Sequence, residues 1–177
     1  MKNQIKTMVS VIFLAVILTT AACAGNTDSR SPADGRLAPE FQLRDLEGEL
    51  VSLGSFEGRP VMLNFWASWC GPCRDEMPYL QDVSKDPRWV EKGLVLLAIN
   101  IQESTSVVQK FVDDFGLTFT VLLDTNGAVT ERYNIGSIPT TYFIDGDGII
   151  RDVRIGAFAR KADIDRALLN SIMKDNP

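Results

Sequence analysis

Apolar residues along the chain fall into short runs separated by turn formers, and the spacing within each run predicts its conformation. Val61–Ala67 (VMLNFWA) and Leu94–Ile101 (LVLLAINI) are almost unbroken apolar stretches, the pattern of strands buried on both faces. Phe41–Leu43 and Leu50–Ser52 flank Glu47-Gly48 and predict a small hairpin. Thr120–Leu123, Thr141–Ile144 and Ile149–Ile155 are further strands, the last two separated by the turn sequence Asp145-Gly146-Asp147-Gly148. Helical spacing appears at Cys73–Val83, with Met77 and Leu80 on one side. It appears again at Ser104–Phe115 through Val107, Val108, Phe111, Val112 and Phe115, and at Arg160–Lys174 through Ile164, Ala167, Leu168 and Ile172. These helical apolar positions read as core. Pro78 predicts a bend in the first helix, because proline lacks the N–H that the helix needs there. The alternation of strands and helices predicts an α/β sheet with one antiparallel hairpin at its end.

Two segments lie outside this pattern. Lys2 and Lys6 precede an apolar run from Met8 to Leu18, and Thr19-Thr20-Ala21-Ala22-Cys23 follows; residues 1–23 therefore read as an export signal. The run is about half of the ~20 residues that a membrane-spanning helix requires. Small residues before Cys23 resemble the lipobox of bacterial lipoproteins, in which that cysteine is acylated, although Thr20 stands where leucine is usual. Lipidation at Cys23, ordinary cleavage and an uncleaved anchor all export the rest of the chain. Residues 24–36 (AGNTDSRSPADGR) lack apolar periodicity and read as a flexible linker, leaving 37–177 as the folded domain.

Composition then removes whole classes of function. The 177 residues carry a formal charge of −5 and a pI near 4.8, so no basic surface is available for nucleic acid. The chain contains no histidine, which excludes Ser-His and Cys-His catalytic pairs and histidine-ligated metal or haem sites. A Cys-x-x-Cys pair is half of a zinc site, but Cys23 is the only other cysteine, so no metal is expected.

The chemistry concentrates at Trp69-Cys70-Gly71-Pro72-Cys73, directly after a buried strand and directly before a helix. A cysteine at a helix N-terminus faces unpaired backbone N–H groups and the positive end of the helix dipole, and both favour the thiolate. Cys70 is thus the predicted nucleophile. Cys73 stays within disulfide reach and can resolve a mixed disulfide. Gly71 lets the turn close, and Pro72 suits the first helical turn. A static structural disulfide is the alternative, but a loop this short removes little chain entropy and stabilises poorly.

The stretch NFWASWCGPCRDEMP resembles the active-site segment of the thioredoxin superfamily, in particular its exported TlpA/ResA-like branch. The resemblance extends from Ala38-Pro39-Glu40-Phe41 through Ile99-Asn100-Ile101-Gln102-Glu103-Ser104 and Gly136-Ser137-Ile138-Pro139-Thr140-Thr141-Tyr142-Phe143-Ile144-Asp145 to the last helix. It implies a thioredoxin-like fold: a central mixed β-sheet flanked by helices on both faces, with an N-terminal β-hairpin extension. It also implies a cis peptide at Ile138-Pro139 facing the cysteines, where an extended partner could pair as an added strand and touch Ile138.

ResA-like proteins place a functional acid at the position of Glu76. Burial against neighbours such as Phe65 and Trp66 would raise its pKa and let it exchange protons with Cys73, whereas the bland reading is a solvated helix glutamate. Trp69 is expected to line the groove around Cys70, and Trp66 either lines it or packs in the core. Where close relatives commonly carry an acidic residue between the cysteines, this chain has Gly71-Pro72, the dipeptide of thioredoxin, which points towards a reductant.

The resemblance further implies protein disulfide reductase activity on exported proteins, apocytochrome c among them, at the outer side of a bacterial membrane. Electrons would come from a membrane thiol transporter of CcdA or DsbD type, and no cofactor beyond the cysteine pair is expected. Three other functions share the fold, and one of them, a copper chaperone, needs a distant histidine that this chain lacks. A peroxiredoxin has the same Ala-Pro-x-Phe entry, but Ser68-Trp69-Cys70 does not supply its Pro-x-x-x-Thr-x-x-Cys setting. A non-catalytic binding module would tolerate loss of Cys70.

Overall fold

The structure is a computed structural model that describes residues 35–172. The expected export signal 1–23 with Cys23, and the linker as far as residue 34, lie outside the described residues. So does the end of the last predicted helix.

Among the described residues seven strands form one sheet: β1 (Gln42–Asp45), β2 (Leu50–Ser52), β3 (Val61–Trp66), β4 (Val95–Ile101), β5 (Thr120–Asp124), β6 (Thr140–Ile144) and β7 (Ile150–Ile155). Their order across the sheet is β2-β1-β5-β4-β3-β6-β7. Neighbours β3, β4 and β5 run parallel, while β1, β6 and β7 pair antiparallel to theirs. The hairpin β1–β2 is an edge extension, fixed by the pairs Arg44↔Leu123 and Asp45↔Leu122 to β5. Central β3 and β4 are buried almost throughout, which explains why their sequences do not alternate in polarity.

Among the described residues five helices flank the sheet: α1 (Gly71–Lys85), α2 (Pro87–Val90), α3 (Thr105–Phe115), α4 (Ala128–Arg132) and α5 (Lys161–Ser171). Side chains alternate across a strand, so β3 serves two separate cores. Met62 and Trp66 join Met77, Leu80 and Val83 of α1, Val108 and Phe111 of α3, and Ile164 and Leu168 of α5. On the opposite face Val61, Leu63 and Phe65 meet Tyr133, Tyr142 and Val129, together with Ala38 and Phe41 of the entering chain. Helices thus cover both faces, and the expected thioredoxin-like arrangement holds.

Several boundaries differ from the sequence expectation for local reasons. Helix α1 begins at Gly71 rather than Cys73, with Cys70 as its N-cap, and it continues through Pro78. Short α2 and α4, and a 3-10 turn at Leu53–Phe56, escape periodicity because each spans four or five residues. Asp86 caps α2 by accepting from Arg88 N–H at 3.0 Å. Buried Asp124 holds the start of α4 by accepting from Val129 N–H at 3.2 Å and from Thr130 N–H at 2.7 Å.

Candidate active site

The end of β3 delivers Cys70 to the N-terminus of α1. Cys70 N–H donates to the Ala67 carbonyl at 3.2 Å, closing a turn whose middle residues are Ser68 and Trp69. Cys70 and Cys73 are joined by a disulfide with an S–S distance of 2.06 Å. The Cys70 sulfur accepts from Cys73 N–H at 3.2 Å, so it already occupies the capping position in the oxidised pair. After reduction the same amide and the helix dipole would stabilise a Cys70 thiolate. Cys73 is fully buried, and Cys70 keeps a small exposed edge. That asymmetry leaves Cys70 as the more accessible of the two sulfurs.

Across from the sulfur lies the Ile138-Pro139 peptide, which is cis. The Ile138 carbonyl oxygen stands 3.7 Å from Cys70 Sγ. Gly156 N–H donates to the Pro139 carbonyl at 2.8 Å and ties the loop to β7. Trp69 is 71% exposed next to Cys70 in the chain, and Gly71 is exposed as well. Trp66 has no exposure, packs on Phe111 with ring centroids 4.7 Å apart, and belongs to the core.

Glu76 follows Cys73 by three residues on α1 and is completely buried. Asn64 Nδ2 donates to its Oε1 and Phe158 N–H to its Oε2, both at 2.9 Å. Burial pushes the carboxyl up from 4.5 to about 7, and the effect outweighs these two donors and the Arg154 charge, which pull the other way. Asn64 also donates to Thr141 Oγ1 at 3.0 Å. Expected neighbour Phe65 plays no part, because the strand's alternation turns it to the opposite face against Tyr133.

Four groups around the pair carry no assigned role in the sequence reading: Asn64, Thr141, Glu103 and Arg74. Asn64 had a visible signal, a lone amide inside an apolar strand. The others are brought in by tertiary contact. Glu103 accepts from Ser68, and Arg74 reaches the Ser68 carbonyl at 3.3 Å. Among the described residues no group of three or more His, Cys, Asp and Glu side chains is arranged to hold a metal ion.

Comparison with known proteins agrees with this geometry. Residues 35–153 match the AhpC/TSA family. The thiol-disulfide oxidoreductase ResA of Geobacillus kaustophilus is 37% identical over 172 residues, covering 95% of this chain and 97% of that protein. A thiol:disulfide interchange protein of the thioredoxin family from Chlorobium tepidum superposes with a TM-score of 0.69 at 29% identity, covering 78% of this chain and 97% of the other. A secreted disulfide oxidoreductase of Mycobacterium tuberculosis, homologous to Escherichia coli DsbE, gives 0.65 at 26% identity, covering 73% and 95%. With a cysteine pair capping α1 and a ResA relative matched over nearly the whole of both chains, the chain belongs to the AhpC/TSA family as a thioredoxin-fold thiol-disulfide oxidoreductase of the ResA-like kind.

Proposed function

We propose that this oxidoreductase reduces disulfides in exported proteins at the extracytoplasmic side of a bacterial membrane, with apocytochrome c among its clients. The observation that carries the reading is Cys70 Sγ at the head of α1, 3.2 Å from Cys73 N–H and beside the cis Ile138-Pro139 peptide. Support for export comes from the leader-like residues 1–23 and from a secreted structural relative. Among the described residues no helix is long and apolar enough to cross a membrane, so tethering would rest with the leader or with a lipid on Cys23.

Catalysis begins when the Cys70 thiolate attacks one sulfur of a client disulfide. The client S–S bond breaks, a mixed disulfide with Cys70 forms, and one client thiolate leaves. Cys73, deprotonated in turn, attacks the Cys70 sulfur, re-forms the internal disulfide and releases the second client thiolate. Two electrons pass to the client, and its two leaving thiolates take their protons from solvent. Glu76, poised near neutrality, is the acceptor for the Cys73 proton. The extended client segment lies along the Ile138 backbone edge with Trp69 over it. A membrane thiol transporter of CcdA or DsbD type then returns two electrons to the Cys70–Cys73 disulfide. The Gly71-Pro72 dipeptide favours this reducing direction.

Trapping tests the proposal directly. In cells, Cys73→Ala should accumulate Cys70-linked mixed disulfides with exported clients, identifiable by mass spectrometry, and the purified wild type should reduce insulin disulfides while turning over negligible peroxide. Full activity retained by Cys70→Ser, or peroxide turnover faster than insulin reduction, would overturn it.

A further inference from the structure

Ser68 precedes the redox pair by two residues and is gripped on every polar atom. Its N–H donates to Glu103 Oε2 at 2.7 Å, and its hydroxyl donates to Glu103 Oε1 at 2.5 Å. Its carbonyl accepts from Arg74, whose guanidinium lies 5.4 Å and 5.1 Å from the ring centroids of Phe111 and Phe115. Glu103 is itself steadied by Asn100 Nδ2 at 2.7 Å. Asn100 stands opposite Trp66 in the parallel β3–β4 register, so the carboxylate is anchored to the strand beside the one that carries the cysteines.

A carboxylate only accepts, and here three donors converge on it from the turn and the neighbouring strand. Such charge-assisted bonds are stronger than neutral ones, and the site is partly withdrawn from water. The turn they fix, Ala67–Cys70, sets where the Cys70 sulfur sits relative to the free N–H groups of α1.

We infer that Glu103 is a positioning residue for the exchange reaction, holding the Ala67–Cys70 turn so that the nucleophilic sulfur stays over the helix N-terminus. The inference rests on Cys70 being the nucleophile of the proposed function. Position and charge make opposite predictions. A nearby negative charge by itself disfavours a thiolate, so removing it would lower the Cys70 pKa. Loss of positioning moves the sulfur off the amides and raises it.

Glu103→Gln separates the two effects. Its Oε1 can accept from Ser68 N–H and Asn100, and its Nε2 can donate to the Ser68 hydroxyl oxygen, so the clamp survives without the charge. Glu103→Ala removes both. The experiment follows the rate of alkylation against pH in the reduced protein. Cys70 is the reporter because Cys73 is fully buried.

Glu103→Ala should move the alkylation midpoint to higher pH and slow insulin reduction about tenfold, as loss of charge-assisted hydrogen bonds predicts. Glu103→Gln should stay within about twofold of the wild type, the scale of one well-replaced hydrogen bond. Ser68→Ala, which loses only the hydroxyl bond, should shift the midpoint in the same direction by less. It also keeps the test decisive if Glu103→Ala does not fold. A midpoint at or below the wild-type value in both alanine variants would overturn the inference. Alkylation needs no client, so a wild type that fails to reduce insulin would count against the functional reading and leave this comparison intact.

Discussion

Replacing Glu76 with glutamine tests the physical core of the site, because its carboxyl is buried without a full countercharge. A group whose folded pKa is raised from 4.5 to about 7 binds its proton more tightly in the folded state. Its contribution to stability is fully present below about 4.5 and is lost as pH rises through about 7. At 1.36 kcal/mol per pKa unit, the whole swing is roughly 3 kcal/mol, of which about 2.5 kcal/mol falls between pH 5 and pH 8. Glutamine has nearly the same shape and does not titrate. Turning the Asn64 amide would offer its Oδ1, which has no protein partner, to the new N–H group.

Denaturant unfolding of the oxidised protein and of Glu76→Gln, at pH 5 and pH 8, measures the effect. Taking the difference between the two proteins cancels other titrating groups, including Asp163 and Asp165, whose carboxyls ion pairs and hydrogen bonds hold below the ordinary range. The wild type should lose about 2.5 kcal/mol relative to the variant between the two pH values. A difference that does not change with pH would mean that Glu76 titrates like a solvated carboxylate, and the proton-transfer role built on its burial would go with it.

Two further predictions come from other parts of the molecule. Gly127 has φ +74°, and a Cβ there would stand 2.8 Å from Gln102 Nε2, so Gly127→Ala should lower the unfolding free energy by about 1–2 kcal/mol in a denaturant titration. Trp69→Ala should leave the melting temperature unchanged, since the ring is 71% exposed, yet raise KM for insulin with little effect on a small aromatic disulfide that needs no groove.

Much of the fold is legible in the sequence because burial on two faces leaves a distinct mark. The apolar runs at Val61 and Leu94 became the two central strands, and the helical spacing around Val108 and Phe111 became α3. The elements that escaped, α2 and α4, are shorter than the period needed to reveal them. At the site, Cys70, Cys73 and Pro139 are visible as short-range motifs. Phe65 shows the limit of such reading: adjacent in sequence to Trp66, it lies on the far side of the sheet.

The sequence by itself determined that a cysteine would cap a helix directly after a buried strand, because the turn, the proline and the apolar run are all local to one stretch of chain. Only the tertiary structure decided what surrounds that cysteine. Glu103 meets Ser68 across 35 residues, Phe158 N–H meets Glu76 across 82, and Ile138 meets Cys70 across 68. Such contacts depend on strand order and register, which no local spacing records. The pKa of Glu76 follows the same rule, since it is set by desolvation, a property of everything packed around the carboxyl.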